Sequence, residues 1–498
     1  MIGKLEKHIV LGIVLLICLS GNVAMADTTM KGIWVATVYG IDYPGSPTQN
    51  PEQLKADADR ILETAKEAGM NAVFLQVRPT GDALYPSALF PWSKFLTGTE
   101  GNAPADSFDP LAYWVTQAHA MGIELHAWIN PYRVTRDMAK TEENPYSKLS
   151  AENMARRHPE WTVRHSDGNL YYNPGLPEVE KLIVDGVAEI VERYDVDGIH
   201  FDDYFYPGQN FDDAAAYAQY CDSGETLDDF RRRVVTHMIK EVDARVHAID
   251  PACRFGVSPF GIWANDNSMK DGSKTRGSQS YFSHYADTKK WVEEGYVDYI
   301  APQLYWYIGY DIADYQVLAK WWADAVEGTD VDLYIGHGAY RIQTDDSSKP
   351  WYGTSELASQ IKLNQTLPQI KGSLYYNYSA FKAHPELVDT VKQQVLSAEN
   401  FKHIVEDRTP LTDQLVVQGT EKITVSCRAP MGSIVNVNVL GRLYFLAASE
   451  TPDGDGKCIY QTMIPVSDFQ SLKSFNPVYR IRYNGAHYDY AAAGKFIF

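Results

Sequence analysis

Eight strand-like segments, separated by stretches of helical periodicity, constrain the fold of this 498-residue chain more than any other feature. The intervening stretches carry apolar residues at helical spacing, as in residues 51–65. Strands that alternate with helices form parallel βαβ units, and eight such units close into a barrel. The sequence therefore predicts the α/β class, with a (β/α)8 TIM barrel over residues 27–400. The predicted strands are 31–39, 71–79, 122–130, 196–204, 254–260, 297–306, 332–340 and 372–378.

The hydrophobic pattern changes at about residue 405. Apolar and polar residues then alternate in short segments, for example 422–426 and 434–439, which are separated by turns rich in glycine, asparagine and aspartate. This pattern is typical of antiparallel strands. It predicts a small all-β, sandwich-like accessory domain over residues 405–498.

The N-terminus has the pattern of an export signal. Lys4 and Lys7 precede an apolar run over residues 9–19, and an A-x-A pattern ends at Ala26. The run is shorter than the roughly 20 residues that span a bilayer. We therefore predict a signal peptide over residues 1–26, a secreted or periplasmic cell-envelope protein, and no transmembrane domain after cleavage. An uncleaved anchor is the alternative.

Charge and cysteine usage limit the partners. The net charge of −19 and the pI near 5.1 disfavour nucleic acid and anionic membranes. No Cys-x-x-Cys or Cys/His spacing indicates a metal site, so we predict no metal and no cofactor. Four cysteines follow the signal: Cys221, Cys253, Cys427 and Cys458. An oxidising compartment permits disulfides between them, but the sequence leaves their pairing open.

The end of the fourth predicted strand carries the strongest chemical signal. Asp202 and Asp203 follow a short apolar strand and precede Tyr204-Phe-Tyr. An unpaired buried charge costs several kcal/mol, so acids at this position indicate function. Barrel active sites lie at the C-terminal ends of the strands, and paired carboxylates beside aromatic surfaces are typical of glycoside hydrolysis. Strand alternation places Asp202 on the face of His200, and Asp203 on the other face unless the strand has already ended.

Asp202 is accordingly the first candidate for a catalytic carboxylate, as nucleophile or general base. Asp203 or Asp82, which follows the second strand, is the candidate acid with a raised pKa. Structural alternatives exist for each: Asp202 paired with Arg78 inside the barrel, Asp203 capping the next turn, and Asp82 as a loop residue.

Other polar and aromatic residues also gather at strand ends and are candidates for substrate binding. Tryptophans would stack on sugar rings, amides would bind hydroxyls, and an arginine would hold a substrate acid such as a lactyl group. Alternation directs Gln76 and Arg78 toward the barrel axis. The alternative roles are core packing for the histidines and tryptophans, and hydrogen bonding to buried backbone groups for the amides. The candidates are Arg78, Gln76, His126, Trp128, Asn130, His200, Tyr204, Trp263, Gln303, Tyr305, Trp306, His337 and Asn377.

These motifs together resemble glycosyl hydrolase-like family 10, a family of exported bacterial proteins. The resemblance covers about residues 30–395 and rests on the segments 31–35, 74–87, 126–131, 197–207, 256–263 and 302–306. It implies a (β/α)8 barrel and glycosidase activity, with the glycan strands of cell-wall peptidoglycan as substrate.

The predicted function is therefore hydrolysis of O-glycosidic bonds in a polysaccharide, by paired-carboxylate chemistry. The first alternative is a non-catalytic glycan-binding protein of the cell envelope. The second is a metal-dependent polysaccharide hydrolase or deacetylase that would use His126, His200, His337 and Asp202.

Overall fold

The computed structural model describes residues 29–395 continuously, and residues 406–498 with gaps at 408–413, 417–420, 441, 449–451, 453–455, 470–471, 484–485 and 492–494. The predicted signal peptide lies outside the described residues. Within these ranges, no helix is both long enough and apolar enough to cross a membrane.

Eight parallel strands form a closed barrel, and each strand pairs with its neighbours in chain order until the eighth meets the first. The predicted (β/α)8 barrel is confirmed. The strands are Met30–Val35, Ala72–Arg78, Glu124–Ile129, Gly198–Phe201, Arg254–Val257, Tyr299–Ile300, Asp332–His337 and Ile370–Tyr375.

Helices surround the barrel, and their ends follow local sequence signals. Pro51–Glu67 begins where the Asn50 side chain accepts a hydrogen bond from the amide of Glu52, with proline in the first turn. Gly69 then takes a positive φ of 73° and ends the helix. The other long helices are Pro110–Ala120, Pro177–Arg193, Leu227–Ile249, Tyr315–Val326, Ser355–Asn364 and Glu386–Val395. Shorter helices are Lys94–Thr97, Met154–Arg157, Ala214–Tyr220, Ser280–Ser283, Thr288–Glu293 and Tyr378–Ala383.

Aromatic and imidazole rings fill the barrel interior. The Tyr299 hydroxyl lies 3.1 Å from Nδ1 of both His126 and His200, and Phe74 stacks on His126. Gly256 makes room for this layer, because a Cβ at that position would lie 2.3 Å from the Tyr299 ring. This layer of rings fills the barrel interior below the mouth.

The second strand contains an irregularity that redirects Arg78. Gln76 pairs with Trp128, but Arg78 pairs with Ile129, so one extra residue is accommodated between them. Arg78 therefore points into the helix layer, where its guanidinium lies 3.6 Å from the centre of the Phe90 ring. The prediction that Arg78 faces the barrel axis is wrong, and so is its proposed pairing with Asp202.

The C-terminal segment is all-β, as predicted. A seven-stranded antiparallel sheet and a three-stranded sheet share one apolar core, to which Val425, Val437, Tyr479, Phe475 and Phe496 contribute. The larger sheet runs in the spatial order Glu406–Asp407, Lys422–Pro430, Lys457–Pro465, Arg442–Ala448, Ile434–Val439, Val478–Tyr483 and Ala486–Ala491. The smaller sheet contains Gln414–Val416, Lys495–Ile497 and Ser474–Phe475.

No disulfide joins the cysteines of the described ranges. Cys427 and Cys458 lie on adjacent strands, but Cys427 is opposite Tyr460 and Cys458 is opposite Ala429.

Candidate active site

A cavity of about 260 Å³ opens at the C-terminal ends of the barrel strands. Its rim is aromatic: Tyr39, Tyr204 and Tyr340 are 46%, 38% and 47% exposed. Exposed rings around a polar floor suit a sugar, which has apolar faces and hydroxyl edges. The cavity is lined by Trp34, Val38, Tyr39, Ile41, Gln76, Trp128, Arg133, Arg136, Asp202, Asp203, Tyr204, Ser258, Gln303, Tyr305, Tyr340 and Tyr376.

Both carboxylates of the fourth strand reach this cavity because the strand ends at Phe201. Asp202 is only 5% exposed and accepts hydrogen bonds from Trp128 Nε1 at 3.1 Å and from Asn130 Nδ2 at 2.9 and 3.0 Å. Burial raises the pKa of Asp202, while the Arg133 charge and these donors oppose the rise. The donors therefore favour the ionised form of Asp202.

Asp203 occupies a less favourable environment for a charge. Burial and the neighbouring Asp202 charge raise the pKa of Asp203 to about 8, against the opposing charge of Arg133. Adjacent carboxyl groups titrate as a coupled pair, so the first proton to leave comes mainly from the group whose charge is better stabilised by hydrogen-bond donors. In this pair the hydrogen-bonded Asp202 ionises first and Asp203 retains its proton.

Arg133 supplies the positive charge beside both carboxylates. Its backbone amide donates to Asn130 Oδ1 at 3.0 Å, and its guanidinium lies 5.6 Å from the centre of the Tyr204 ring. Arg133 was not among the predicted site residues. Its position three residues after Asn130, in the loop that follows the third strand, is the signal that could have identified it.

The aromatic walls are braced by side-chain contacts. Trp34 donates from Nε1 to His200 Nε2 at 3.1 Å, and Ser258 Oγ lies 2.9 Å from the same nitrogen. Tyr305 stacks on Tyr376, with ring centres 5.9 Å apart. These rings are therefore held in place before a ligand arrives, which lowers the entropic cost of binding.

Seven of the predicted residues line the cavity: Gln76, Trp128, Asp202, Asp203, Tyr204, Gln303 and Tyr305. Asn130 lies behind them and orients Asp202. Nine lining residues were absent from the predicted set: four aromatics, two arginines and three smaller side chains, namely Trp34, Tyr39, Tyr340, Tyr376, Arg133, Arg136, Val38, Ile41 and Ser258.

The three predicted histidines are fully buried and hydrogen-bonded within the protein. Burial and the nearby His126 lower the pKa of His200 well below its usual value, so it is a neutral hydrogen-bonding support for the walls. His337 lies between Gln360 and Ser373, and burial lowers its pKa to about 4. Among the described residues, the one acid and histidine cluster compact enough for a metal ion is Asp243, His247 and Asp298, which includes neither these histidines nor Asp202.

Five other predicted residues also lie away from this cavity: Arg78, described above, and Asp82, Trp263, Trp306 and Asn377. Asp82 accepts hydrogen bonds from Thr80 and lines a second cavity. Trp263 donates to Asp287 at 3.1 Å and stacks on Trp321, with ring centres 5.7 Å apart. Trp306 packs against the apolar core of the barrel.

Asn377 joins the loop after the eighth barrel strand to the loop after the first. Its Nδ2 lies 3.0 Å from both carboxylate oxygens of Asp42, which also accepts from Ser379 and from the amide of Ala36. This contact fixes Tyr376 and the loop that carries Tyr39. Asn377 thus supports the cavity wall from behind.

A (β/α)8 barrel with adjacent carboxyl groups in an aromatic cavity at its C-terminal face has the architecture of a glycoside hydrolase-like protein. Comparisons with known proteins agree. The family model described as Glycosyl hydrolase-like 10 matches residues 29–353, and the chain belongs to this family.

Two curated relatives span most of the chain. Glycosyl hydrolase YngK of Bacillus subtilis (strain 168) is 42% identical over 368 residues, which cover 73% of this chain and 70% of that protein. Glycosyl hydrolase DigH of Escherichia coli (strain K12) is 40% identical over 365 residues, which cover 70% of this chain and 82% of that protein.

Solved structures are more distant. An endo-β-1,4-mannanase from Thermotoga petrophila aligns with a TM-score of 0.45 at 12% identity, covering 94% of this chain and 97% of that chain. The α-L-fucosidase isoenzyme 2 from Paenibacillus thiaminolyticus aligns with a TM-score of 0.46 at 13% identity, covering 78% of this chain and 52% of that chain.

Proposed function

We propose that this protein is an exported glycoside hydrolase that cleaves O-glycosidic bonds in the glycan strands of bacterial cell walls. The observation that carries the proposal is the unequal pair of carboxyl groups, Asp202 and Asp203, in one aromatic cavity. Hydrolysis of a glycoside needs one carboxyl group that gives a proton and one that is ionised.

The two environments assign these roles. Asp203 holds a proton near neutral pH, because burial and the Asp202 charge raise its pKa to about 8. It is therefore the general acid that protonates the leaving glycosidic oxygen. Asp202 receives three hydrogen-bonding contacts to its oxygens and carries the negative charge, so it is the nucleophile or the general base.

The rest of the cavity serves the sugar. The rings of Trp128, Tyr204 and Tyr305 offer stacking surfaces beside the carboxyl pair, and Gln303 adds an amide edge. Arg133 limits the repulsion between the two acids, and so allows them to share the site.

Family membership and the predicted signal peptide support a wall glycan as the substrate, since that polymer lies outside the cytoplasm. The proposal is tested by incubating the purified protein with peptide-stripped wall glycan, intact sacculi, and α- and β-glucans. Mass spectrometry of the products then reports cleavage. We expect new reducing ends from peptide-stripped wall glycan. Tight binding without new reducing ends on any polymer would contradict hydrolysis and support the glycan-binding alternative.

A further inference from the structure

A second cavity of about 440 Å³ lies beside the candidate active site. Arg136 lines both cavities. Tyr39, on the rim of the first cavity, donates a hydrogen bond to Asp137, on the wall of the second. The two spaces are therefore adjacent, and a chain of sugars that fills the first would extend toward the second.

Three cations line the second cavity, and Arg136 is the one that also lines the first, where its guanidinium lies 5.6 Å from the centre of the Tyr39 ring. Lys148 lies 3.5 Å from the carboxylate of Glu142, and Lys94 donates to the backbone carbonyl of Arg136. Among the described residues, no carboxylate forms an ion pair with the Arg136 guanidinium. Asp137, its nearest acidic neighbour in the chain, is engaged by Tyr39.

The half-buried Glu100 and the buried Asp82 also line this cavity, and their surroundings favour the neutral carboxyl form more than water does. Burial raises the pKa of Glu100 to about 7, and burial also raises the pKa of Asp82. Asn153 and Thr80 hold these carboxyl groups by hydrogen bonds. In the protonated form the acids present neutral, hydrogen-bonding surface, which suits sugar hydroxyls.

We propose that the second cavity is a further subsite for the same glycan, and that Arg136 binds a carboxylate carried by one of its sugars. This inference rests on the proposed function. Arginine is suited to the role, because its planar fork of donors matches a carboxylate in a two-point contact. The carboxylate would belong either to a lactyl ether, as in wall glycan, or to a uronic acid.

Binding measurements on the full-length Asp202→Asn protein test the proposal without turnover. The ligands are peptide-stripped wall glycan fragments, oligosaccharides that contain uronic acid, and the same two sets with carboxyl groups reduced to alcohols. Adding Arg136→Gln should weaken binding of the native wall fragments by about ten- to hundredfold, the range for a charged hydrogen-bonded contact. Binding of the reduced fragments should not change.

Two further variants separate recognition from misfolding. Arg136→Lys keeps the charge but loses the two-point contact, so its affinity for native wall fragments should fall between those of the Asp202→Asn parent and the Arg136→Gln variant. Arg157→Gln removes the same charge from the exposed end of the Met154–Arg157 helix, which lines neither cavity, and should bind like the parent.

Equal weakening for native and reduced fragments, or none for either, would overturn the subsite assignment, and hydrolysis by the wild type would still support the proposed function. The reverse result, carboxylate-dependent binding without hydrolysis by the wild type, would overturn only the proposed function. Dependence on Arg136 for uronic acids but not for wall fragments would contradict the wall-glycan substrate.

Discussion

Replacing Asn130 with alanine tests how Asp202 is kept ionised. Asn130 Nδ2 donates to both carboxylate oxygens of Asp202, at 2.9 and 3.0 Å, inside a site that is only 5% exposed. A hydrogen bond to a charged group contributes about 1.5–3 kcal/mol. One pKa unit corresponds to about 1.4 kcal/mol. Loss of these bonds should therefore raise the pKa of Asp202 by about one to two units.

The assay is the pH dependence of kcat/KM on wall glycan. Asp202 must be ionised to act, so the acidic limb of the profile should move upward by about one to two pH units in Asn130→Ala. The alkaline limb should stay, because Asp203 titrates there while Asp202 is already charged in both proteins.

Asn364→Ala is the matched control. Asn364 is also a buried asparagine, but it accepts from Tyr315 under the barrel wall and does not line the cavity. This variant should lose stability without moving the profile. An unchanged acidic limb in Asn130→Ala, with normal folding, would refute the role assigned to Asn130.

Three other outcomes follow from the site. Asp203→Asn removes the proton donor: kcat on glycan should fall by about 10²- to 10⁴-fold, with a much smaller loss on an aryl glycoside whose leaving group needs no proton. Equal losses of activity on the glycan and on the aryl glycoside would contradict the acid role. Wild-type activity should decline as pH rises through about 8, since Asp203 loses its proton there, and the residual activity of Asp203→Asn should lack this alkaline limb. Asn377→Ala breaks the contact with Asp42 and should lower the free energy of unfolding by about 1–3 kcal/mol, measured by urea denaturation. It should also raise KM, measured from initial rates. An unchanged KM would show that the contact between Asn377 and Asp42 does not support the cavity wall. Arg78→Met should keep kcat/KM within about threefold, because Arg78 contacts Phe90 in the helix layer and not the sugar; a selective rise in KM for acidic glycans would return Arg78 to the substrate site.

The barrel could be predicted because its signals are local and repeated eight times. Each apolar segment lies between amphipathic helices, and eight such units bury every strand when the sheet closes into a barrel. The lengths of the individual strands were less predictable. The sixth strand, expected over residues 297–306, forms a ladder only at Tyr299–Ile300. Beyond it, Gln303 makes only isolated bridges to Phe260 and Gly336.

The site was harder to predict, because side-chain direction depends on small departures from ideal strands. Strict alternation directed Arg78 inward, but the extra residue beside it in the second strand turned it outward. Alternation placed Asp203 on the opposite face from Asp202 unless the strand had already ended; the strand does end at Phe201, and both acids line the cavity. Neither event leaves a clear mark in one sequence.

Long-range loop contacts were not predictable from the sequence. Trp263 and Trp306 follow strands, as stacking residues would, yet the loops fold back and pack them against Trp321 and the core. Tyr39 and Tyr340 were predicted at the ends of the first and seventh strands, but each lies in a short 3-10 turn after its strand, and these turns bring both rings to the rim. Their positions depend on contacts such as Asp42 with Asn377, which are 335 residues apart.

The central claim is that the carboxyl pair at the end of the fourth strand cleaves the glycan. Comparing reducing-end release by the wild type, Asp202→Asn and Asp57→Asn tests it most directly, with Asp57 as a buried aspartate on the outer helix Pro51–Glu67. We expect release by the wild type and by Asp57→Asn, and none above background by Asp202→Asn, although that protein should melt normally and still bind glycan. Release by Asp202→Asn at the wild-type rate would contradict the central claim.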